Sequence, residues 1–328
     1  MNIENIKGLH MIKVPSPWSP PGPCNCYLLE DKNLTLIDTG PYSNKSLEYL
    51  IKKLGKIGYS LKDIKKIIIT HGHADHFGLA SIIQRASNAD VMAHKREVSR
   101  IEDPLNSLDF RLNWVLEFLK SYGSPPSILE EIKKSFSDGV KFSKSVKITK
   151  PLEHGDKLDL KKFDIEIIHS PGHTIGMICL YDRKNKLLFS GDHIIEHITP
   201  VPFLQPNDNG SNERFESLSH YLNSLKMIRE LDVDYVLPAH GSTFTDLKNW
   251  IDDVFKFHEI RKTDMAKIIA DGEKSAYEVC TEYFNELSGY DVICGISEVV
   301  NHIDMLNQEG ILNIRKKNKI FYYSMKRK

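Results

Sequence analysis

Three histidines and an aspartate fall within six positions, as His71, His73, Asp75 and His76, directly after the apolar run at 67–70. Imidazole and carboxylate together are the ligands that zinc, iron and manganese accept. His71 and His73 are two residues apart, whereas Asp75 and His76 are adjacent. The segment can therefore offer one pair of ligands to each of two metal ions, and it predicts part of a dinuclear site.

A dinuclear site needs further ligands, and three other junctions between a strand and a loop supply them. His173 lies in SPGHTIGM, Asp192 in FSGDH and His240 in LPAHG, each beside or near a glycine that lets the backbone approach a crowded centre closely. Taken singly, each of these residues suits a structural role. Their order after the first segment predicts one common ligand set.

The elements that must position these ligands are short apolar segments rich in β-branched residues, which predict strands. They lie at 26–29, 34–38, 66–70, 163–169, 177–181, 186–190 and 234–238, with a further strand in DVMAH. Helical spacing of apolar residues appears at 46–58 and 211–231. Two groups of strands with helices between them indicate an α/β layered domain, and α/β sheets hold their sites at the carboxyl ends of strands.

Two segments depart from this alternation. Residues 95–146 predict a mostly helical insertion, on which Phe110, Trp114, Phe118 and Tyr122 can share one helical face. That face suits either an apolar wall for a substrate or packing of the insertion onto the domain. The loop 196–213 is dense in proline, asparagine and glycine and is predicted to be irregular. We expect both segments to lie over the mouth of the site.

Beyond residue 245 the strand signals give way to a long amphipathic helix at about 247–271, helices near 275–287 and 296–310, and a β-hairpin around Asn318. The predicted organisation is thus a catalytic domain at 1–245 and a winged-helix-like domain at 246–328. A DNA-binding regulator with a degenerate enzyme domain is one alternative function. The helix that would enter the major groove is acidic and lacks lysine and arginine, so we expect no DNA binding.

From about residue 10 to 245 the sequence resembles the metallo-β-lactamase fold superfamily, whose members carry His-x-His-x-Asp-His, then Gly-His, Gly-Asp and a final histidine. The resemblance implies an αββα sandwich. It further implies two metal ions, the first held by the residues His71, His73 and His173 and the second by Asp75, His76 and His240, with Asp192 bridging. Asp38, in LIDTG, would support the ligand loops from behind, and His193 would either do the same or donate to substrate.

Such a site performs hydrolysis, because two divalent ions lower the pKa of a shared water and generate a bridging hydroxide near neutral pH. Asp75 is expected to be catalytic, orienting the hydroxide and passing its proton to the leaving group. The chain has no G-x-S-x-G elbow to suggest a serine nucleophile. The β-lactamases of this fold have cysteine in place of Asp192 and the flavodiiron proteins have glutamate in place of His73, which disfavours both activities. One branch that processes RNA and DNA carries a large inserted domain between the Gly-Asp motif and the final histidine. The segment between Asp192 and His240 is too short for such a domain, which disfavours this branch.

The tail, preceded by FHEIR with His258 and Arg261, resembles more loosely the lactamase-β-like endoribonuclease and glyoxylase-like branch. We expect both residues on the helix surface rather than in catalysis. The predicted substrate is a small thioester, ester or lactone, and the alternative is cleavage of single-stranded RNA. Zinc is the default metal, with iron or manganese as alternatives.

Composition agrees with a small substrate. The 44 lysines and arginines balance 44 aspartates and glutamates, so the overall charge does not recruit a polyanion or an anionic membrane. The first residues lack the features of a signal peptide, and the five cysteines are scattered, with Cys24 and Cys26 predicted as strand residues. We therefore expect a cytoplasmic protein without a membrane segment. A homodimer is left open.

Overall fold

The structure is a computed structural model, and it describes residues 6–207, 213–285 and 287–326. Its strands follow the predicted segments closely, and the first 245 residues contain two that the sequence did not suggest, β1 and β6. The strands are β1 Leu9–Val14, β2 Cys24–Leu29, β3 Thr35–Ile37, β4 Lys66–Ile69, β5 Asp90–His94, β6 Lys150–Leu152, β7 Ile165–His169, β8 Ile178–Asp182, β9 Leu187–Gly191, β10 Tyr235–Pro238, β11 Lys274–Ser275, β12 Leu312–Lys317 and β13 Ile320–Met325.

Two sheets form the centre of the molecule. One has the order β1-β2-β3-β4-β5-β6, and the other has the order β10-β9-β8-β7. The inner faces share an apolar core, in which Tyr27, Ile37 and Ile68 of the first sheet accompany Ile167 and Phe189 of the second. Burial of this apolar area drives the sheets together.

Helices cover the outer faces, completing the αββα sandwich that the family resemblance implied. α1 and α3 pack on the first sheet, and α7 and the beginning of α8 pack on the second. The helices are α1 Asn44–Ile57, α2 Ala74–Phe77, α3 Ala80–Ser87, α4 Val98–Glu102, α5 Pro104–Ser121, α6 Pro126–Gly139, α7 Ser217–Arg229, α8 Leu247–Ala270, α9 Ala276–Phe284 and α10 Tyr290–Gln308.

Local sequence signals set several helix ends. α1 begins after Ser43, whose hydroxyl accepts from the backbone N–H of Ser46, and ends at Gly58 with a φ of 100°. In α9, Ser275 and Glu278 form a reciprocal capping box. α10 begins well before the predicted residue 296, because Tyr290–Gln308 runs through the glycine at 295 without a break.

The insertion and the C-terminal helices share one apolar core. Leu119 of α5 and Ile132 of α6 belong to the same buried cluster as Met265 of α8 and Val299 of α10. The C-terminal elements follow the order α8-β11-α9-α10-β12-β13, with a three-stranded sheet ordered β11-β13-β12. The winged-helix assignment and the boundary at 245 stay predictions.

The apolar stripe of α5 takes part in this core rather than facing open solvent along its whole length. Tyr122 is buried in the cluster, and Trp114 and Phe118 pack against it with stacked rings 3.9 Å apart. Phe110, by contrast, is 62% exposed. Of the two interpretations of the stripe, packing accounts for its contacts, and the packing partner includes the C-terminal helices.

No helix in the part of the chain that the structure describes is both long and apolar enough to cross a membrane.

Candidate metal centre

Four strands deliver the predicted ligands to one edge of the sandwich. The segment with His71 follows β4, His173 follows β7, Asp192 follows β9 and His240 follows β10. β9 and β10 are parallel, and β8 is antiparallel to both β7 and β9, so β7, β9 and β10 run in the same direction. Their carboxyl ends therefore meet at the same edge.

The first group of ligand atoms comes from His71, His73, His173 and Asp192, which lie within 4.8 Å of one another. The Nδ1 atom of His73 is 2.9 Å from Nε2 of His71 and 3.0 Å from Nε2 of His173. Three ring nitrogens thus converge on one point.

The second group comes from Asp75, His76 and His240, again within 4.8 Å of one another. Oδ1 of Asp75 is 3.6 Å from Nε2 of His76, and Oδ2 of Asp75 is 3.5 Å from Nε2 of His240. All three residues are buried.

Asp192 lies between the two groups. Its Oδ1 atom is 3.5 Å from Nε2 of both His76 and His240, whereas Oδ2 is 3.6 Å from Nε2 of His173. Each carboxylate oxygen thus faces a different group.

Hydrogen bonds behind the histidines fix which ring nitrogen is free. Nδ1 of His76 donates to Oδ2 of Asp38 over 2.8 Å, and Nδ1 of His240 donates to the carbonyl oxygen of Pro23 over 3.0 Å. Asp38 itself accepts from the backbone N–H and the hydroxyl of Thr70, both over 2.8 Å. Both histidines therefore direct an Nε2 lone pair into the site. The thiol of Cys24 lies within 4.8 Å of the ligand atoms of Asp38 and His76 on this far side.

Several buried atoms at the centre have no hydrogen-bond partner among the described residues. They include Nε2 of His76, Nε2 of His240 and Oδ1 of Asp192. Buried polar atoms are normally satisfied, so their concentration at the point where two ligand groups meet fits a bound cation. The donor set of imidazole and carboxylate fits a divalent transition metal.

The predicted ligands shift one another's pKa values. Burial, followed by the charges of neighbouring histidines, holds the pKa of His71 well below its usual range. Burial would raise the pKa of Asp75 and Asp192, but the adjacent histidines outweigh it and leave both lowered. For His76, burial lowers the pKa, but Asp192 and Asp75 outweigh it and raise the pKa.

Glu97, which the sequence did not single out, joins two ligand loops. Its Oε2 atom accepts from the backbone N–H of Gly72 over 3.0 Å, and Oε1 accepts from that of Gly176 over 2.8 Å. The approach requires glycine, because a Cβ on Gly72 would lie 2.6 Å from Oε2 of Glu97. The glutamate stands in a run of alternating charges, KREVSRIE, which offers no signal of a buried role.

Part of the loop 196–213 borders the first ligand group, and residues 208–212 of it lie outside the described residues. The ring of Phe203 is 5.5 Å from that of His173 and 6.1 Å from that of His73. Two buried side chains of α10 hold the loop there. Asn301 donates to the carbonyl of Pro202 over 2.7 Å, and the Ser297 hydroxyl accepts from the N–H of Leu204 over 3.1 Å.

His193 is fully buried beside the ring of Tyr221, at 4.9 Å, and neither ring nitrogen has a hydrogen-bond partner within the described ranges. Burial lowers its pKa to about 3, so it is neutral.

The expectation that His258 lies on the helix surface was wrong. His258 is 1% exposed, and its Nδ1 atom is 3.1 Å from Nε2 of His302 on α10. The neighbouring Arg261 pairs with the buried Glu298 over 3.1 Å, and its side chain is 20% exposed. The spacing of apolar residues predicted the helix α8, but it did not show that His258 lies on the face of α8 that packs against α10.

The sequence and the fold have known counterparts. Residues 19–240 match the metallo-beta-lactamase superfamily. The probable metallo-hydrolase YqjP of Bacillus subtilis (strain 168) is 26% identical over 318 residues, which cover 96% of this chain and 98% of that protein. The crystal structure of a metallo-beta-lactamase family protein from Thermus thermophilus has the same fold, with a TM-score of 0.79 and 22% identity over 97% of this chain and 99% of that one.

A shorter similarity concerns an enzyme with a named substrate class. The acyl-coenzyme A thioesterase MBLAC2 of Gallus gallus is 32% identical over 103 residues, which are 30% of this chain and 34% of that protein. The superfamily match spans most of the chain, and the chain therefore belongs to the metallo-beta-lactamase superfamily and is a hydrolase.

Proposed function

We propose that the chain hydrolyses a small thioester, ester or lactone with the help of two divalent metal ions. The observation that carries this proposal is the position of Asp192, whose two carboxylate oxygens each face a different group of ligand atoms at 3.5 to 3.6 Å. A site for a single ion would use only one of these two groups of ligand atoms.

The residues that would hold the first ion are His71, His73 and His173, and those for the second are Asp75, His76 and His240, with Asp192 shared. Zinc is the default metal, and the set of five imidazoles and two carboxylates suits iron and manganese as well. Bound ions of this kind lower the pKa of water and polarise a carbonyl group.

Asp75 is the residue that we propose for moving the proton. Its carboxylate is ionised at neutral pH, because the neighbouring histidines outweigh burial and lower its pKa. It can accept a hydrogen bond from the attacking water and align the oxygen with the carbonyl carbon. As the new carbon–oxygen bond forms and the carbon–sulfur bond breaks, the proton passes from the water through Asp75 to the leaving thiolate.

Thioesters are the substrates that we favour within this class. The partly similar MBLAC2 of Gallus gallus is named as an acyl-coenzyme A thioesterase. Phe203 offers an apolar ring beside His73 and His173, against which an acyl chain can pack. The balanced charge of the chain also favours a small substrate over a polyanion.

The proposal is tested by an activity panel on metal-replete protein that includes acyl thioesters, esters, lactones, phosphodiesters and single-stranded RNA. We expect turnover of a thioester, its loss on chelation, and about two metal ions per chain by elemental analysis. Asp192→Asn should lower both the metal content and the activity, because the neutral amide has only one acceptor oxygen. The exposed Asp159→Asn serves as the matched control.

Cleavage of RNA without turnover of any small ester would overturn the proposal in favour of the endoribonuclease alternative.

A further inference from the structure

Two histidines and a glutamate form a further buried cluster of ligand atoms, away from the candidate metal centre. His258 lies on α8, and Glu298 and His302 lie one helical turn apart on α10. Each residue offers one ligand atom, and the three atoms lie within 4.8 Å of one another. The three residues are only 0 to 4% exposed. Metal sites in helical bundles are built from such side chains on facing helices.

The hydrogen bond of His302 leaves one of its ring nitrogens available to a cation. Nδ1 of His302 donates to the carbonyl oxygen of Glu298 over 2.6 Å, so Nε2 carries the lone pair. Histidines that bind metal ions commonly donate their other ring N–H to a carbonyl in this way. Nε2 of His302 is 3.1 Å from Nδ1 of His258. Two nitrogens bound to one tetrahedral zinc ion at about 2.0 to 2.1 Å would lie about 3.3 Å apart, so a small outward shift of the rings would admit the ion.

The cluster also contains a nitrogen whose hydrogen-bonding capacity is unused. Nε2 of His258 is buried, and no partner for it occurs in the part of the chain that the structure describes. Buried polar groups are normally satisfied. A direct hydrogen bond between the two imidazoles accounts for only one nitrogen of His258, so the two rings do not form a closed pair.

The third member of the cluster supplies negative charge. Oε2 of Glu298 is 3.6 Å from Nδ1 of His302 and forms an ion pair with Nη1 of Arg261 over 3.1 Å. The guanidinium of Arg261 also stacks over the rings of Phe257 at 4.3 Å and Phe284 at 5.4 Å. These aromatic contacts can hold Arg261 when the carboxylate turns to another cation. The charge of Arg261 opposes such a cation, so binding should be weaker than at the candidate metal centre.

We propose that His258, Glu298 and His302 bind a divalent cation at a third metal site, for which zinc is the best fit. Two imidazoles and one carboxylate form a known zinc ligand set. Because the cluster is buried between two helices, the ion has a structural role and joins α8 to α10. The neighbouring Ser297 and Asn301 on α10 hold the loop that carries Phe203. The site therefore stabilises the helix that positions this loop.

Equilibrium dialysis against a series of buffered free zinc concentrations tests the inference by counting ions. We expect His302→Gln and His258→Gln each to bind one zinc ion fewer than the wild-type protein at saturation. His154→Gln, at an exposed histidine, should bind the same number as the wild type. The difference of one ion is expected whatever the number held by the candidate metal centre, so failure of the dinuclear proposal leaves this test intact.

Arg261→Met provides a second test in which the three ligands stay in place. The substitution removes the cation that competes for the carboxylate of Glu298. We expect the affinity for the most weakly bound zinc ion to rise at least about tenfold. Added zinc should also raise the free energy of unfolding of this variant at a lower free zinc concentration than it does for the wild type. Arg85→Met, at an exposed arginine on α3, should leave both unchanged.

Three outcomes would overturn the inference. The first is equal zinc stoichiometry in His302→Gln, His258→Gln and the wild type, which would show two imidazoles joined only by a hydrogen bond. The second is loss of the same ion in His154→Gln, which would show zinc on surface histidines. The third is unchanged zinc affinity in Arg261→Met, and this measurement decides the matter if the glutamine variants do not fold.

Discussion

Oδ2 of Asp38 lies 2.8 Å from Nδ1 of His76, with both side chains buried beneath the candidate metal centre. This carboxylate accepts a hydrogen bond from the Nδ1–H group of His76. The Nε2 atom of His76 is therefore directed at Asp75 and Asp192. The arrangement makes the tautomer of one ligand depend on a residue that follows a neighbouring strand, β3.

Asp38→Asn should weaken metal binding without unfolding the protein. Asparagine tolerates the positive φ of 55° at this position, but its amide nitrogen can no longer accept from His76. We expect the affinity for the ion that Asp75, His76 and His240 would hold to fall about 10- to 100-fold, measured by competition with a chromogenic chelator. Unchanged affinity in Asp38→Asn would show that the tautomer of His76 is set in another way.

Glu97→Gln should loosen the two ligand loops. The amide keeps one acceptor oxygen, so the N–H of either Gly72 or Gly176 is left buried without a partner. We expect the free energy of unfolding to fall by about 1 to 3 kcal/mol, measured by denaturant titration, together with faster loss of metal to chelator. Glu117→Gln, at a side chain that is 72% exposed, is the control. Equal stability of Glu97→Gln and this control would contradict the role of Glu97.

Asn301→Ala should change substrate binding from outside the predicted catalytic domain. It removes the donor to the carbonyl of Pro202 and the acceptor for the N–H of Leu218. We expect faster hydrogen exchange at residues 202–205 and a raised KM for acyl substrates, because Phe203 is no longer held against the histidines.

Metal content should stay at the wild-type level in Asn301→Ala, since Asn301 does not contact the ligands. The exposed Asn313→Ala provides the matched control. Identical exchange rates in the loop of both variants would show that α10 does not position Phe203.

The pair His258 and His302 should make stability depend on pH. Burial lowers the pKa of His302 from 6.5 to about 4 and that of His258 from 6.5 to about 3, so both are neutral when folded. In the unfolded chain both bind protons below about pH 6.5. The free energy of unfolding should therefore decrease as the pH falls from about 6.5 to 4, by an amount on the order of 3 kcal/mol for His302.

The measurement is denaturant unfolding of metal-free protein at a series of pH values, because protons and metal ions then do not compete for the predicted ligands. Comparison with His302→Gln isolates the contribution of His302. The variant should show a shallower slope over the same pH window. A slope equal to that of the wild-type protein would exclude His302 as the cause.

Local patterns in the sequence were sufficient to predict an α/β layered domain and the seven candidate ligands, and the resemblance to the superfamily implied the αββα sandwich. A strand such as β4 is a short apolar run, and the residue types that follow it, such as His71 and Asp75, identify the chemistry. Strands β1 and β6 were missed because their burial is uneven. β6 has only Leu152 buried among its three residues, so no alternation or apolar run marked it.

Residues that serve the site from a distance could not be found in the same way. Glu97 belongs to a segment whose charges are typical of a solvated helix, and its partners are the backbone N–H groups of Gly72 and Gly176 on two other loops. The sequence predicted His258 to be exposed because the helix that covers it, α10, follows α8 only after β11 and α9. Such contacts are set by tertiary packing, which overrides the local pattern.

The apolar core shared by α5, α6, α8 and α10 has a consequence for how the molecule is made. During synthesis, Leu119 and Ile132 leave the ribosome on the order of ten seconds before Val299. Their apolar side chains are exposed to solvent during that delay. A chain that ended at residue 245 would leave these side chains permanently exposed to solvent. The nascent protein is therefore prone to aggregation until α10 has been synthesised and has packed against α5 and α6.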